Sequence, residues 1–283
     1  MPIAPLADRS VIHVGGPDAR KFLHNLITCN VAGLESGGAR FGALLMPQGK
    51  IIADFFLYAP KGEPDAFLLD VPAALKEELL KRLKMYLLRA KAEFTLNEDL
   101  AVAARFGDDA PAAPASAEAF ADPRLPALGE RLVLPRAEAE GLGGDASAYH
   151  AHRIALGVPQ GGMDFAYGDA FPHEADMDQL GGVDFKKGCY VGQEVVSRMQ
   201  HRGTARTRAV QALFEFAPEE GSEIRAGEKT VGRIGSSARG HGIALVRLDR
   251  AADASAAGLP LVAGGVEITL RRPDWATFAM GEV

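Results

Sequence analysis

The hydrophobic period changes at Arg206, and this change constrains the fold more than any other feature of the chain. Before it, stretches at helical spacing alternate with short strand-like runs. Gly16, Pro17 and Asp18 place a proline near the first helical position and an acid in the first turn, and Phe22, Leu23, Leu26 and Ile27 then form one apolar face. Runs at 40–46 and 50–59 flank Pro47, Gln48 and Gly49, a hairpin signal, and a further strand is expected at 66–71. Pro72 opens a second helix in which Leu75, Leu79, Leu83 and Leu87 recur every four residues. Strands follow at 91–96 and 99–106. Helices interleaved with hairpin strands predict an α+β domain with antiparallel sheet. Residues 108–120, rich in Ala, Pro and Asp, read as a surface loop, 147–156 as a helix, and 157–191 as irregular chain. Beyond 206 the period is two: Val210, Ala212, Phe214 and Phe216 alternate, and short runs at 229–235, 242–248 and 261–271 are separated by Gly-rich turns. This pattern predicts a small β-barrel. The expected division is an α+β domain over 1–205 and a barrel over 206–283.

At 283 residues the chain is long enough to bury roughly 75% of its extended-chain surface. Two cysteines, Cys29 and Cys189, are too few for a disulfide scaffold or a cysteine-based zinc site, and the seven histidines form no zinc pattern. No apolar run approaches about 18 residues, so no transmembrane helix is expected. The first residues lack the apolar core of a signal peptide, and a cytoplasmic protein with reduced thiols is expected. The formal charge is −6, yet residues 186–208 hold six Lys or Arg against one Glu, a local +5. A basic segment on an acidic chain points to a local anion site. It lacks interleaved aromatics after Tyr190, which argues against a nucleic-acid stacking platform.

The densest chemistry lies in residues 186–203. Cys189 has Lys187 two residues before it and Glu194 five after, with Arg198 and Arg202 following at a spacing of four. Gly188 and Gly192 bracket the thiol and permit a tight turn or a close backbone approach. A helix from 192 to 200 puts Glu194, Arg198 and Arg202 on one stripe. A thiol acts through its thiolate, which is only about 3% of an unperturbed Cys at neutral pH. Lys187 and Arg198 are the groups able to raise that fraction. His24, His173 and His201 are candidate partners for a Cys-His nucleophile pair. Asp54 sits in a strand otherwise made of Ile51, Ile52, Ala53, Phe55, Phe56 and Leu57, facing either a ligand or solvent.

The run Lys187, Gly188, Cys189, Tyr190, Val191, Gly192, Gln193 and Glu194, followed by Arg198 and by His201, Arg202 and Gly203, resembles the signature of the YgfZ-type folate-binding proteins. The superfamily includes the aminomethyltransferase of the glycine cleavage system. Residues 16–28, 48–54, 152–159 and 171–175 follow the same order, so the resemblance covers nearly the whole chain. It implies an α+β folate-binding body with a ferredoxin-like part and a C-terminal β-barrel. It also implies tetrahydrofolate in a cleft and a role in iron–sulfur cluster maturation beside client or assembly proteins. On this reading Cys189 is the reactive or cluster-facing group, activated by Lys187. Asp54 and Glu194 hydrogen-bond the pterin, Arg198 orients Glu194 or meets the folate tail, and Tyr190 and Gln193 complete the cofactor site. Phe41, Leu45 and Phe55 supply its walls. In the transferase, two adjacent carboxylates stand where this chain has Ala53 and Asp54, and a pterin-holding Glu falls near Ala155. Both departures argue against aminomethyl transfer, which remains the alternative, with a cysteine hydrolase a third reading.

Overall fold

The computed structural model describes residues 3–203 and 205–280. By its internal contacts the chain forms two units, Met1–Tyr149 with Leu180–Glu194, and His150–Gln179 with Val195–Val283. The cuts fall at 149/150, 179/180 and 194/195, where the sequence pattern places a single break at 205/206.

In the first unit the apolar face of α1 (Ala19–Leu26) presents Ala19, Leu23 and Leu26 to the core. α2 (Lys76–Tyr86), preceded by a turn of 3-10 helix over Ala73–Leu75, adds Leu79 and Leu83 at the spacing of four seen in the sequence. Both helices pack on a five-stranded antiparallel sheet, β3-β4-β5-β2-β6, built from β2 (Arg9–Gly15), β3 (Ala39–Leu45), β4 (Ile51–Tyr58), β5 (Phe67–Pro72) and β6 (Glu93–Asn97). Alternation sends Leu44, Ala53, Phe55, Leu57 and Leu69 into this helix-covered core with Ile12 and Val14. The other face of β3, β4 and β5 carries Phe41, Asp54, Phe56, Tyr58 and Asp70, with Phe41 paired to Phe56 and Phe56 to Asp70. Every residue of β4 is buried, so Asp54 does not lie on a solvated face.

A four-stranded sheet, β1-β7-β9-β8, comprises β1 (Ile3–Pro5), β7 (Leu100–Arg105), β8 (Glu118–Ala121) and β9 (Glu130–Pro135). Here the loop expected over 108–120 is corrected: its last residues form edge strand β8, and Phe120 is buried, its ring 4.4 Å from that of Tyr58. Four residues are too few for a period to show in the sequence. The short α3 (Arg136–Ala139) and α4 (Ala146–Ala155) follow.

In the second unit the chain from 156 to 179 is largely turns, as expected. After α5 (Gln193–Arg202), six strands close a barrel, β10-β13-β12-β11-β14-β15. They are β10 (Thr207–Leu213), β11 (Glu223–Ala226), β12 (Lys229–Ala238), β13 (His241–Arg247), β14 (Leu261–Ala263) and β15 (Val266–Arg271). The single run expected at 261–271 is a hairpin, because Gly264 and Gly265 both take positive φ (56° and 84°) and turn the chain within two residues. Phe214 and Phe216 lie beyond the end of β10, and Phe216 is exposed. α6 (Leu248–Ala256), whose alanines carry little apolar signal, packs Ala251 and Ala254 into the barrel core.

Candidate functional site around Cys189

Residues 182–192 form a strap tied to the first unit at several points. Thr28, fully buried, donates from Oγ1 to the Gly182 carbonyl (2.6 Å) and accepts from the Ala43 amide (2.8 Å), linking strap, α1 and β3. The Asp184 amide donates to the Thr28 carbonyl (3.0 Å). The Asp184 carboxylate accepts from the amides of Lys186 (2.7 Å) and Lys187 (3.0 Å), a turn that aims Lys187 inward. The Lys187 ammonium donates to the carbonyls of His24 and Ile27 (2.5 Å to the latter), satisfying acceptors that the end of α1 leaves open. It also lies 5.2 Å from the centre of the Tyr190 ring. Burial lowers its pKa to about 8, against the opposing pull of Cys29 and Asp184. The ammonium is thus committed to the end of α1, and the thiol it faces electrostatically is Cys29.

The strap leaves Gly188 and Cys189 exposed. Cys29 is buried, and burial pushes its thiol up to about 12 despite Lys187 and Arg40. The two glycines beside Cys189 differ sharply. A Cβ on Gly188 would meet nothing within 4 Å. Gly192 has φ +81°, and a Cβ there would lie 2.6 Å from the Met46 carbonyl oxygen and 3.0 Å from the Gly49 Cα. The strap therefore ends in backbone contact with the β3–β4 turn, and Leu45 lies against Gly192. Tyr190 is buried, its hydroxyl has no hydrogen-bond partner, and burial followed by Asp184 raises its pKa to about 12.

The Asp54 face of the sheet holds a cationic and aromatic cluster that the sequence did not single out. Asp70 accepts from Arg9 (2.6 Å), Arg131 (2.7 Å) and the Tyr58 hydroxyl (2.8 Å). Burial alone would raise the Asp70 pKa; Arg131 and Arg9 outweigh it and hold the carboxylate below its usual range. Arg131, Arg124 and Arg9 lie 4.1, 4.7 and 5.5 Å from the centre of the Phe56 ring. Arg124 is further held by Asp122 (2.8 Å) and the Tyr149 hydroxyl (2.9 Å). Phe41 packs 5.4 Å from Phe56 beneath Arg124 and shares this face with Asp54. Phe55 points to the opposite, helix-covered side, which corrects its expected place as a ligand wall. One sequence signal existed: Asp70, like Asp54, is a lone carboxylate in an apolar strand.

α5 begins directly after the strap, with the Gln193 amide donating to the Tyr190 carbonyl (3.3 Å). Glu194 in its first turn and Arg198 one turn on are both exposed. In the second unit His173 is buried and bonded to Gln200 (2.9 Å), and Arg208 binds Asp178 (2.6 Å) and the His173 carbonyl (2.8 Å). His24 accepts from the Ala32 amide through Nδ1 (3.3 Å), and His201 is exposed. Of the three candidate partners only His24 shares the first unit with Cys189, and its Nδ1 is taken by the Ala32 amide. No helix among the described residues is long and apolar enough to cross a membrane.

The fold and its barrel define a class first. The structure of glycine cleavage system aminomethyltransferase T from Bartonella henselae superposes with a TM-score of 0.74, covering 97% of this chain and 86% of that one at 18% identity, which shows the fold. The C-terminal β-barrel domain of CAF17 matches residues 206–278. A human protein, iron-sulfur cluster assembly factor IBA57, mitochondrial, is 32% identical over 271 residues, 85% of this chain and 76% of its own length. A Neurospora crassa homologue of that factor is 34% identical over 242 residues, 77% of this chain. The chain belongs to the IBA57 family. It spans 55% of the Neurospora relative and 58% of one from Mycosarcoma maydis. These relatives are named mitochondrial, which overturns the cytoplasmic expectation. That expectation rested on a missing apolar leader, a feature that amphipathic, Arg-rich mitochondrial transit segments lack as well.

Proposed function

We propose that this protein is an iron–sulfur cluster assembly factor that binds a reduced folate in the manner of the YgfZ-type proteins and presents Cys189 to the cluster or its carrier. The observation that carries the reading is the contrast between its thiols. Cys189 is exposed on a strap whose neighbours Lys187, Tyr190 and Gly192 are anchored, while Cys29 is sealed. An anchored, open thiol is suited to meet a large partner without ordering cost. Iron–sulfur clusters usually take four protein ligands, so one cysteine requires the remainder from a partner.

The first unit's groups fit a pterin in kind. Asp54 offers a buried carboxylate to ring N–H donors on a face lined by aromatics, and Tyr190 offers a buried hydroxyl lacking a partner. Glu194, exposed in the first turn of α5, supplies a further acceptor for the pterin. When bound, tetrahydrofolate supplies nitrogens able to carry a one-carbon unit. The fold likeness favours a second reading, folate-dependent aminomethyl transfer. Against it, Ala53 is buried in the helix-covered core, and Ala155 offers only its carbonyl, which accepts from Gln211 (2.7 Å).

Calorimetric titration with tetrahydrofolate tests the folate assignment. Wild type is expected to bind at sub-millimolar concentration. Asp54→Ala and Glu194→Ala should each weaken binding by about 1–3 kcal/mol through a lost hydrogen bond. No signal for any reduced folate would refute it. Folate-dependent formaldehyde release from an aminomethyl donor would favour the transferase.

A further inference from the structure

A groove of about 420 Å³ in the first unit opens between α1, the end of α2 and the strap, lined by Lys21, Phe22, Leu26, Tyr86, Ala90 and Val191. Val191 is two residues from Cys189, so the groove's strap wall lies within about 7 Å of chain from the exposed thiol. On the groove's α2 side two large apolar residues stand exposed two positions apart, Tyr86 (38% exposed), which lines the groove, and Leu88 (93%) just past the helix end, while Met85 lines a separate hollow. Scattered apolar residues on a surface need no explanation, but a cluster beside a groove marks an interaction site. Leu88 is the sharpest case. It holds a left-handed backbone, φ +45°, which disfavours a side chain of its kind, and it covers nothing in the chain. The rim is basic. Lys21 lines the groove, Arg89 and Lys91 flank its Ala90 wall and are exposed, and residues 76–91 hold six Lys or Arg against two Glu. Asp18, the groove's one acid, has an oxygen committed to the Lys91 amide (2.8 Å).

We infer that this groove docks an acidic, apolar-anchored segment of the partner protein that supplies the cluster's other ligands beside Cys189. The inference rests on the cluster-assembly reading for the identity of the partner, and on geometry and charge for the site. The apolar floor takes one or two large side chains, and the basic rim selects acidic flanks and steers their approach. The concave shape, and the exposed Glu77 and Glu78 on the same helix, favour a protein segment over an anionic membrane.

The test uses the full chain in cells lacking the wild-type copy. Leu88→Asn removes the apolar contact and suits the left-handed backbone, so it should fold at least as well as wild type. The double variant Lys21→Glu with Arg89→Glu reverses exposed charges at the groove. Both should lower iron–sulfur enzyme activities at least about fivefold, with thermal stability and the Cys189 alkylation rate unchanged. Full activity with both overturns the inference. A photo-cross-linking residue at position 88 reads docking separately. The expected adduct is a protein joined through a segment rich in Asp, Glu and large apolar residues, and the charge reversal should weaken it about tenfold. An adduct to phospholipid, or binding to phosphatidylglycerol vesicles that the reversal abolishes, overturns the inference in favour of a membrane. Normal cluster enzymes after deletion of the whole chain sink the cluster-assembly reading, and the adduct's sequence still decides the docking site.

Discussion

Gly192→Ala should be among the most damaging small changes available, and its effect can be worked from the structure. The residue holds φ +81°, where a side chain costs roughly 1–2 kcal/mol. Its new Cβ would lie 2.6 Å from the Met46 carbonyl oxygen, 3.0 Å from the Gly49 Cα and 3.2 Å from the Leu45 Cβ. Two of these are backbone atoms of a hydrogen-bonded turn, in which the Met46 amide donates to Lys50 and the Gly49 amide to Met46, so neither can swing aside. Overpacking of this kind costs about 1–3 kcal/mol more, giving about 2–5 kcal/mol in total. Gly188→Ala is the internal control. It meets nothing, and it should stay within about 0.5 kcal/mol of wild type. Urea unfolding of the three proteins, with Cys189 alkylation followed in parallel, measures both effects. Equal destabilisation by the two substitutions, or none by Gly192→Ala, would refute the argument that the strap seats backbone-to-backbone on the hairpin.

Asp70→Asn leaves Arg9 and Arg131 without their shared carboxylate and should destabilise by about 3–5 kcal/mol at neutral pH. Because the folded pKa lies below that of an ordinary aspartate, wild type has this stability in full above the ordinary value and loses it as pH falls through the folded pKa; the variant's acid limb should be flatter, by chemical denaturation against pH. Burial lowers Lys187 to about 8 from 10.5, so the unfolded chain binds more protons between those values and stability should rise with pH there, a slope that Lys187→Met should lack. Folded protein at pH 8 should take one alkyl group, at Cys189, and a second only on unfolding, because the Cys29 thiol sits near 12; mass spectrometry showing Cys29 modified first would contradict this.

Much of this architecture was legible because it rests on periodicity. The leucines of α2 and the hairpin around Gly49 declare themselves, and the barrel's alternation begins within one residue of Thr207. What escaped was of two physical kinds. Short elements such as β8 and β11 hold four residues each, too few for a period. Contacts between distant segments leave no local trace: Lys187 reads as a neighbour of Cys189, but its ammonium reaches carbonyls some 160 residues away in sequence. The Arg9, Arg124 and Arg131 cluster on Phe56 is equally non-local, and only the lone Asp70 in an apolar strand hinted at it. Gly192 is non-local in the same way: its need for glycine arises from the hairpin it touches rather than from its own motif.

The central claim, an anchored and open Cys189 serving cluster assembly, is tested most directly by complementation. A strain lacking the protein receives wild type or Cys189→Ala, and iron–sulfur enzyme activities are measured beside glycine cleavage. Cys189 is exposed and packs no core, so the variant should keep its fold. The account predicts that wild type restores the cluster enzymes, that Cys189→Ala restores them poorly, and that glycine cleavage is intact throughout. Loss of glycine cleavage with normal cluster enzymes, or full rescue by Cys189→Ala, would contradict it.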